Sequence, residues 1–180
     1  MTTHIVFLRS VNVGGRNKLY SNGFADTITS LGGANVQTYV QSGNAVFSGQ
    51  VQAEKIADEI ENRFGFKPIV FLLSARDLKE IVAENPYKDE AEVDPKSVHG
   101  IFLAGAAERG LSRRFNDIKT DEERFEIGKS VVYLHAPAGF SKSNIAKKID
   151  SIVGVPTTAR NWRTISAVIK LCEQGGENGR

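Results

Sequence analysis

A chain of 180 residues, 41% hydrophobic and 24% charged, has ordinary globular composition with enough apolar material for a real core, which excludes a disordered or fibrous protein. Its net charge of +2 is too small to declare a nucleic-acid protein from the total alone, because that inference needs a patch and not a sum. The single cysteine, Cys172, excludes an internal disulfide and fits a reducing cytosol, and no apolar run approaches the roughly 20 residues of a bilayer span.

The chain opens on HIVFLR, an apolar run rich in branched and aromatic residues that predicts a buried strand, with no signal-peptide pattern before it. A polar segment, SVNVGGRNKLY (residues 10–20), follows. Phe24, Ile28 and Leu31 then fall four and three apart, one face of a helix that Gly32 and Gly33 end. NVQTYVQ and NAVFS predict two strands joined through Gln41, Ser42, Gly43 and Asn44, a composition suited to a tight hairpin. Ile56, Ile60 and Phe64 mark a second helix stopped at Gly65, and KPIVFLLS supplies a fourth strand. Strand, helix, hairpin, helix, strand is the order of the split βαβ, or ferredoxin-like, unit.

Ser74 with Asp77 three residues later predicts a cap on a connecting helix through Leu78, Ile81 and Val82, closed by Asn85 and Pro86. The acidic stretch after it reads as a linker. Beyond it the pattern restarts: SVHGIFLAG as a strand, Leu111, Phe115 and Ile118 as a helix face, and ERFEI with SVVYLH as a hairpin around Gly128 and Lys129. Ile145, Ile149 and Ile152 predict a helix, VPTTA a strand, and Ile165, Val168, Ile169 and Cys172 the stripe of a last helix. SGNAVF in the first half matches IGKSVVY in the second, and GFKPIV matches GVPTTA, so the element order and these segments together suggest an internal repeat. The expected fold is α+β: two tandem ferredoxin-like (βαββαβ) units with antiparallel sheets, plus a connecting helix and a C-terminal helix. Expected boundaries are a first unit with its connecting helix over 1–84, a linker over 85–96, a second unit with the C-terminal helix over 97–174, and a flexible tail over 175–180.

Charge is unevenly distributed. Residues 1–20 hold Arg9, Arg16 and Lys18 with no acid; residues 139–170 carry six cations against Asp150 alone; residues 76–96 hold seven acids against four cations. In a split βαβ unit the loop after the first strand, the hairpin turn and the loop entering the fourth strand share one end of the sheet. That topology places NVGGRNK beside QSGN and near GFKP.

Gly14 and Gly15 permit positive φ and close backbone approach, and successive amides in such a turn converge into an anion-binding nest. The following helix adds unpaired amides, Arg16 a planar fork and Lys18 a point charge. Asn12, Asn17, Gln41, Ser42 and Asn44, around Gly43, have the chemistry to hydrogen-bond sugar hydroxyls or base edges. The bland alternative stands beside this one: Gly-Gly with Asn also serves any tight turn, and exposed Arg and Lys are common. The segment matches neither the Walker A signature nor the Gly-x-Gly-x-x-Gly fingerprint. A second candidate is Arg160, Asn161, Trp162 and Arg163, in which Trp162 is either a buried anchor beside a helix N-cap at Asn161 or a stacking face flanked by two arginines. Lys142, Lys147 and Lys148 read as a solvated helix face.

Standard catalytic sets do not emerge. His4, His99 and His135 lie in or beside apolar strands without HExxH or cysteine partners, which argues against a metal, and Tyr39 and Tyr133 read as packing residues. No cofactor is called for. VFLRSV is similar to the first strand of an RNA-recognition module, yet QSGNAVF lacks the stacking aromatics its third strand needs.

Six segments carry a family resemblance: LRSVNVGGRNKL (8–19), TYVQSGNAVF (38–47), NPY (85–87), VHGIFL (98–103), VYLHAPAGFSKS (132–143) and TARNWRTISAVIKL (158–171). In this order, across nearly the whole chain, they resemble a bacterial family known as domain of unknown function 1697. The family usually shows Gly where this chain has Ser10, and a more helix-favouring run in place of residues 20–23. The resemblance implies a two-unit ferredoxin-like architecture and no established activity, substrate or catalytic residue. The expectation is therefore a cytoplasmic protein that binds a phosphate-bearing ligand, nucleotide or nucleic acid, through the opening loop. Two other classes remain open: an enzyme acting on a phosphorylated small molecule, and a structural or protein-interaction module.

Overall fold

The computed structural model describes residues 2–106 and 108–177. Strand β1 (Thr3–Arg9) leads through the polar loop to helix α1 (Ser21–Ser30), then to strands β2 (Ala34–Thr38) and β3 (Asn44–Ser48), helix α2 (Ala53–Phe64) and strand β4 (Ile69–Ser74). Helices α3 (Ala75–Ala83) and α4 (Lys88–Val93) follow. The second series is β5 (Val98–Leu103), α5 (Leu111–Asn116), β6 (Arg124–Ile127), β7 (Val131–His135), α6 (Asn144–Val153), β8 (Thr157–Asn161) and α7 (Trp162–Glu177), with a single 3-10 turn at Phe140–Lys142. Among the described residues the protein is thus α+β, with two four-stranded antiparallel sheets and seven α-helices.

The strands are ordered β2-β3-β1-β4 in one sheet and β6-β7-β5-β8 in the other. In each, the first strand of the series is central and pairs antiparallel with the third and fourth, as β1 does with β3 and β4. Both faces of β1 and β5 are covered, which is why they read as continuous apolar runs and not as alternating ones: Ile5, Val6, Phe7 and Leu8 are all buried, as is every residue of β5. Period two still sorts them. Val6 and Leu8 join Phe24, Ile28, Ile56 and Ile60 from α1 and α2 in one cluster, while Ile101 and Leu103 join Leu111, Phe115, Ile145 and Ile149 from α5 and α6 in another.

The repeat extends to backbone hydrogen bonds at one end of each sheet. The Leu8 N–H donates to the Gly43 carbonyl at 2.7 Å, and its counterpart Leu103 donates to Ser130 at 3.0 Å. Gly43 is needed there: its φ is +72°, and a β-carbon would stand 2.7 Å from Leu8 Cβ and 2.8 Å from Val11 Cγ2.

Helix ends follow local chemistry. The Ser74 hydroxyl accepts from the Asp77 N–H at 3.0 Å, and the Asp77 carboxylate accepts from the Ser74 N–H at 3.3 Å, a reciprocal capping box on α3. Gly65 and Gly154 end α2 and α6 in the left-handed region.

At four places the structure adds detail to the expected boundaries. The acidic stretch read as a linker forms α4, whose Ala91 is buried, so part of 85–96 is a packed helix. The strand expected through Gln41 stops at Thr38, and Val40, two residues on, turns to a φ of +47°. By contacts the chain divides into residues up to 80 with those from 166 onward, and residues 81–165, so the division falls within α3 and α7. Of the tail expected over 175–180, residues 175–177 complete α7 and 178–180 lie outside the described residues.

Candidate functional site

The opening loop is a small hairpin held by asparagines. Val13 and Arg16 form an isolated antiparallel bridge, with the Arg16 N–H donating to the Val13 carbonyl at 3.0 Å, so Gly14 and Gly15 are the two central residues of the turn. Their φ values of +59° and +75° are those of a two-residue hairpin turn, and glycine adopts them without strain. A β-carbon on either would meet nothing within 4 Å, so these glycines serve the turn and leave its tip open. The central amides of such a turn take no part in its own cross-bridge.

Asn12 fixes the base of the hairpin. Its Nδ2 donates to the Leu19 carbonyl at 2.8 Å and to the Gln41 carbonyl at 2.6 Å, and its Oδ1 accepts from the Leu19 N–H at 2.9 Å. Asn17 Nδ2 donates to the Ser10 carbonyl at 2.9 Å. Ser10, Asn12 and Asn17 all have positive φ, a conformation in which asparagine is tolerated better than most residues. The loop and the β2–β3 turn are therefore tied together at the sheet end where topology places them.

This geometry sorts the candidate residues. Asn12 and Asn17 commit their amides inside the loop, and Asn44 is fully buried, its Nδ2 donating to the Tyr39 carbonyl and to Ser42 Oγ. Gly43 supplies the carbonyl that Leu8 uses. What is exposed is Gly14, Gly15, Arg16, Asn17 and Lys18, with Gln41 and Ser42 on the adjoining turn. Helix α1 begins only at Ser21, after the buried Leu19 and then Tyr20, so the glycine amides belong to the hairpin tip and not to the first helical turn. Lys67, entering β4 from GFKP, is already neutralised: Asp58 and Glu61 pair with it, and the Asp58 hydrogen bond raises its pKa.

Large apolar side chains are also exposed on these segments. Val13 is 66% exposed, Tyr20 61%, Val40 54% and Ile69 40%, and they come from the loop, the β2–β3 turn and the start of β4. The sequence signal for them was the aromatic Tyr20 two residues after Lys18.

At the second candidate segment the tryptophan is buried. Trp162 is 8% exposed with its ring 6.4 Å from that of Tyr133, leaving no open face for a base. Asn161 caps α7, its Oδ1 accepting from the Thr164 N–H at 2.9 Å. Arg160 folds back on Thr158 Oγ1 and the Ala159 carbonyl, and burial pushes its pKa down to about 10. Arg163 alone of the four is exposed. Lys142, Lys147 and Lys148 are exposed.

A further cluster escaped the sequence reading. Arg124 pairs with Glu90, lies 5.1 Å over the Tyr87 ring and sits 3.1 Å from His135 Nδ1. The Arg124 hydrogen bond holds Glu90 below the usual carboxylate range, while burial, and then the Arg124 charge, push His135 down. Treating 85–96 as a linker hid Tyr87 and Glu90, although NPY (85–87) was a visible motif. Tyr133, read as packing, is buried and donates its hydroxyl to the Ile81 carbonyl at 2.9 Å. Among the described residues, no group of three or more His, Cys, Asp or Glu is placed to hold a metal ion.

Residues 1–133 match the model of the family described as Protein of unknown function (DUF1697). The chain belongs to this family. No curated protein matches it. Among solved structures, a conserved bacterial protein, SP0830 from Streptococcus pneumoniae, is similar over 94% of this chain and 98% of that one, with 21% identity and a TM-score of 0.71. At that identity the likeness speaks to the fold of this DUF1697 member and not to an activity. No helix among its described residues is long and apolar enough to cross a membrane.

Proposed function

We propose that this DUF1697 protein binds a phosphate-bearing ligand, a nucleotide or nucleic acid, at the tip of its opening hairpin. The observation that carries the reading is the hairpin itself: two exposed glycines, whose amides the turn does not use, stand beside Arg16 and Lys18 on a base fixed by Asn12. Backbone amides and cations together are the usual means of holding phosphate. An open tip favours an extended strand over a free nucleotide, since small ligands are taken up in concave sites. Tyr20 and Val13, exposed on the same loop, supply apolar and aromatic surface for unstacked bases. On this proposal each unit is ferredoxin-like, a reading that the strand order of both sheets supports, and the protein works in the cytoplasm.

The test is fluorescence anisotropy with a labelled single-stranded oligonucleotide, and competition by ATP, across a salt series. Affinity is expected to fall with a log–log slope of about −0.7 for each phosphate contact, and Arg16→Ala with Lys18→Ala to make that slope shallower by about 1.4. Absent binding, or a slope unchanged in the double variant, overturns the proposal. The exposed Val13, Tyr20, Val40 and Ile69 favour a second reading, a protein-interaction module. Sedimentation distinguishes it: self-association lost in Tyr20→Ser with Val40→Ser, alongside no oligonucleotide binding, is the result expected of that module.

A further inference from the structure

Strand β6 is a free edge, since the order β6-β7-β5-β8 leaves it one neighbour. Its pairing with β7 is regular throughout, from Arg124 with His135 to Ile127 with Val132. The counterpart edge of the first unit, β2, is blunted by a register shift between Ala34 and Gln37 and by a φ of +53° at Asn35, irregularities of the kind that keep edges from pairing. β6 carries no such device. Its backbone direction follows from the hairpin: the Gly128 N–H donates to the Val131 carbonyl at 2.8 Å, and bonded pairs alternate along an antiparallel ladder. Arg124 and Glu126 therefore turn their amides and carbonyls toward β7, and Phe125 and Ile127 turn theirs to the open edge. A cavity of about 440 Å³ borders that edge, lined by residues 123–127 in succession and by Ser112 and Asn116 of α5. In the first unit α1 packs on β2, but α5 makes no comparable contact with β6.

Side chains decide what can cover the strand. Phe125 and Ile127 pack toward the core under α5 and α6, while Arg124 and Glu126 take the other face. An added antiparallel strand that exchanges backbone bonds with Phe125 sets one residue opposite Arg124 and another opposite Glu126. Opposite charges stabilise such pairs and like charges destabilise them. The sequence that fits is a cation, an apolar residue and an acid, which is the order of Arg124, Phe125 and Glu126 in β6 itself. Both charges can take a partner. Arg124 makes its hydrogen bonds to Glu90 and His135 through Nη2 alone, and Glu126 is exposed with no ion pair among the described residues.

From this self-complementary edge we infer that β6 pairs antiparallel with the β6 of a second copy of the chain, about a twofold axis at Phe125. The two Phe125 residues exchange both backbone bonds, each Arg124 faces the Glu126 of the other copy, and each Ile127 N–H donates to the other copy's Glu123 carbonyl. Such an isologous pairing closes both open edges at once. It uses no residue of the opening hairpin, so it is independent of phosphate binding there.

The experiment is sedimentation equilibrium of the full chain from about 1 μM to about 1 mM, in which a reversible monomer–dimer equilibrium is expected. Glu126→Arg, which sets like charges opposite each other twice, is expected to weaken it at least about tenfold, and Arg124→Glu to do the same. Mixed together, these two variants are expected to form a heterodimer, because each carries the charges that the other lacks. Ile127→Pro takes away an N–H that faces the open edge, a place where strands accept proline, and is expected to leave a folded monomer by circular dichroism. A native chain that stays monomeric throughout overturns the assignment and leaves the edge to a different protein. So does a dimer unchanged in Glu126→Arg or Ile127→Pro, a mixture that forms no heterodimer, or a dimer lost only in Tyr20→Ser with Val40→Ser. If Arg124→Glu or Ile127→Pro does not fold, Glu126→Arg, a change at an exposed side chain, decides alone.

Discussion

Asn12 shows how one side chain turns a polar segment into a defined structure. It makes three hydrogen bonds, two of them to Leu19 and one reaching the neighbouring turn at Gln41, while its own backbone sits at a φ of +55°. Each bond contributes about 1 kcal/mol net, and a β-branched or alanine residue in the left-handed region costs roughly a further 1 kcal/mol. Asn12→Ala is therefore expected to lower stability by about 2 to 4 kcal/mol, read as a shift in the urea midpoint. Asn12→Gly, which relieves the backbone but makes none of the bonds, should recover only the conformational part. In the sequence Asn12 looked like a ligand donor because an amide beside glycines has the right chemistry for either role. Which partner it finds depends on residues 7 and 29 positions away, and no local pattern carries that information.

Among the elements, those with strong periodicity and end signals came out as read. Helix α2 has Ile56 and Ile60 buried and Gly65 as its left-handed cap, and α6 is capped by Ser143, whose hydroxyl accepts from the Ala146 N–H. The short α4 was missed, since six residues with four charges hold too little periodicity to be seen and the helix rests on the burial of Ala91. Asn161 is an element-scale residue that stood among the site candidates. As the cap of α7 it satisfies the Thr164 N–H, and Asn161→Ala is expected to cost about 1 kcal/mol in thermal or chemical denaturation, with Asn161→Asp close to neutral. Oligonucleotide affinity should be the same in Asn161→Ala as in the native chain; a loss of binding without a loss of stability would return this segment to the list of contacts.

For the molecule as a whole, the stability profile against pH is set in part by a histidine that the fold keeps neutral. Burial pushes His99 down to about 4 from an ordinary 6.5, against smaller upward pulls from the Ser97 backbone and Asp94. The ring lies 4.4 Å from that of Phe140. Because the unfolded chain takes up this proton near pH 6.5 and the folded chain only near pH 4, its contribution is complete above pH 6.5 and is lost as the pH falls through that window. The loss between pH 7 and 4.5 should be roughly 2 to 3 kcal/mol, and a non-titrating His99→Gln variant should lack that part of the slope. Equal slopes in both chains would show that His99 is protonated in the fold. The sequence by itself determined the two series of strands and helices, most of their caps and the family, because periodicity, glycine stops and capping pairs act over a few residues. Tertiary structure alone decided which polar groups face water. Asn12 committed its amide to Leu19 and Gln41, Trp162 became buried, Tyr20 stayed exposed, and Glu123 was left with one oxygen unpaired, since burial and hydrogen-bond partnership are settled by segments that meet only once the sheets have formed.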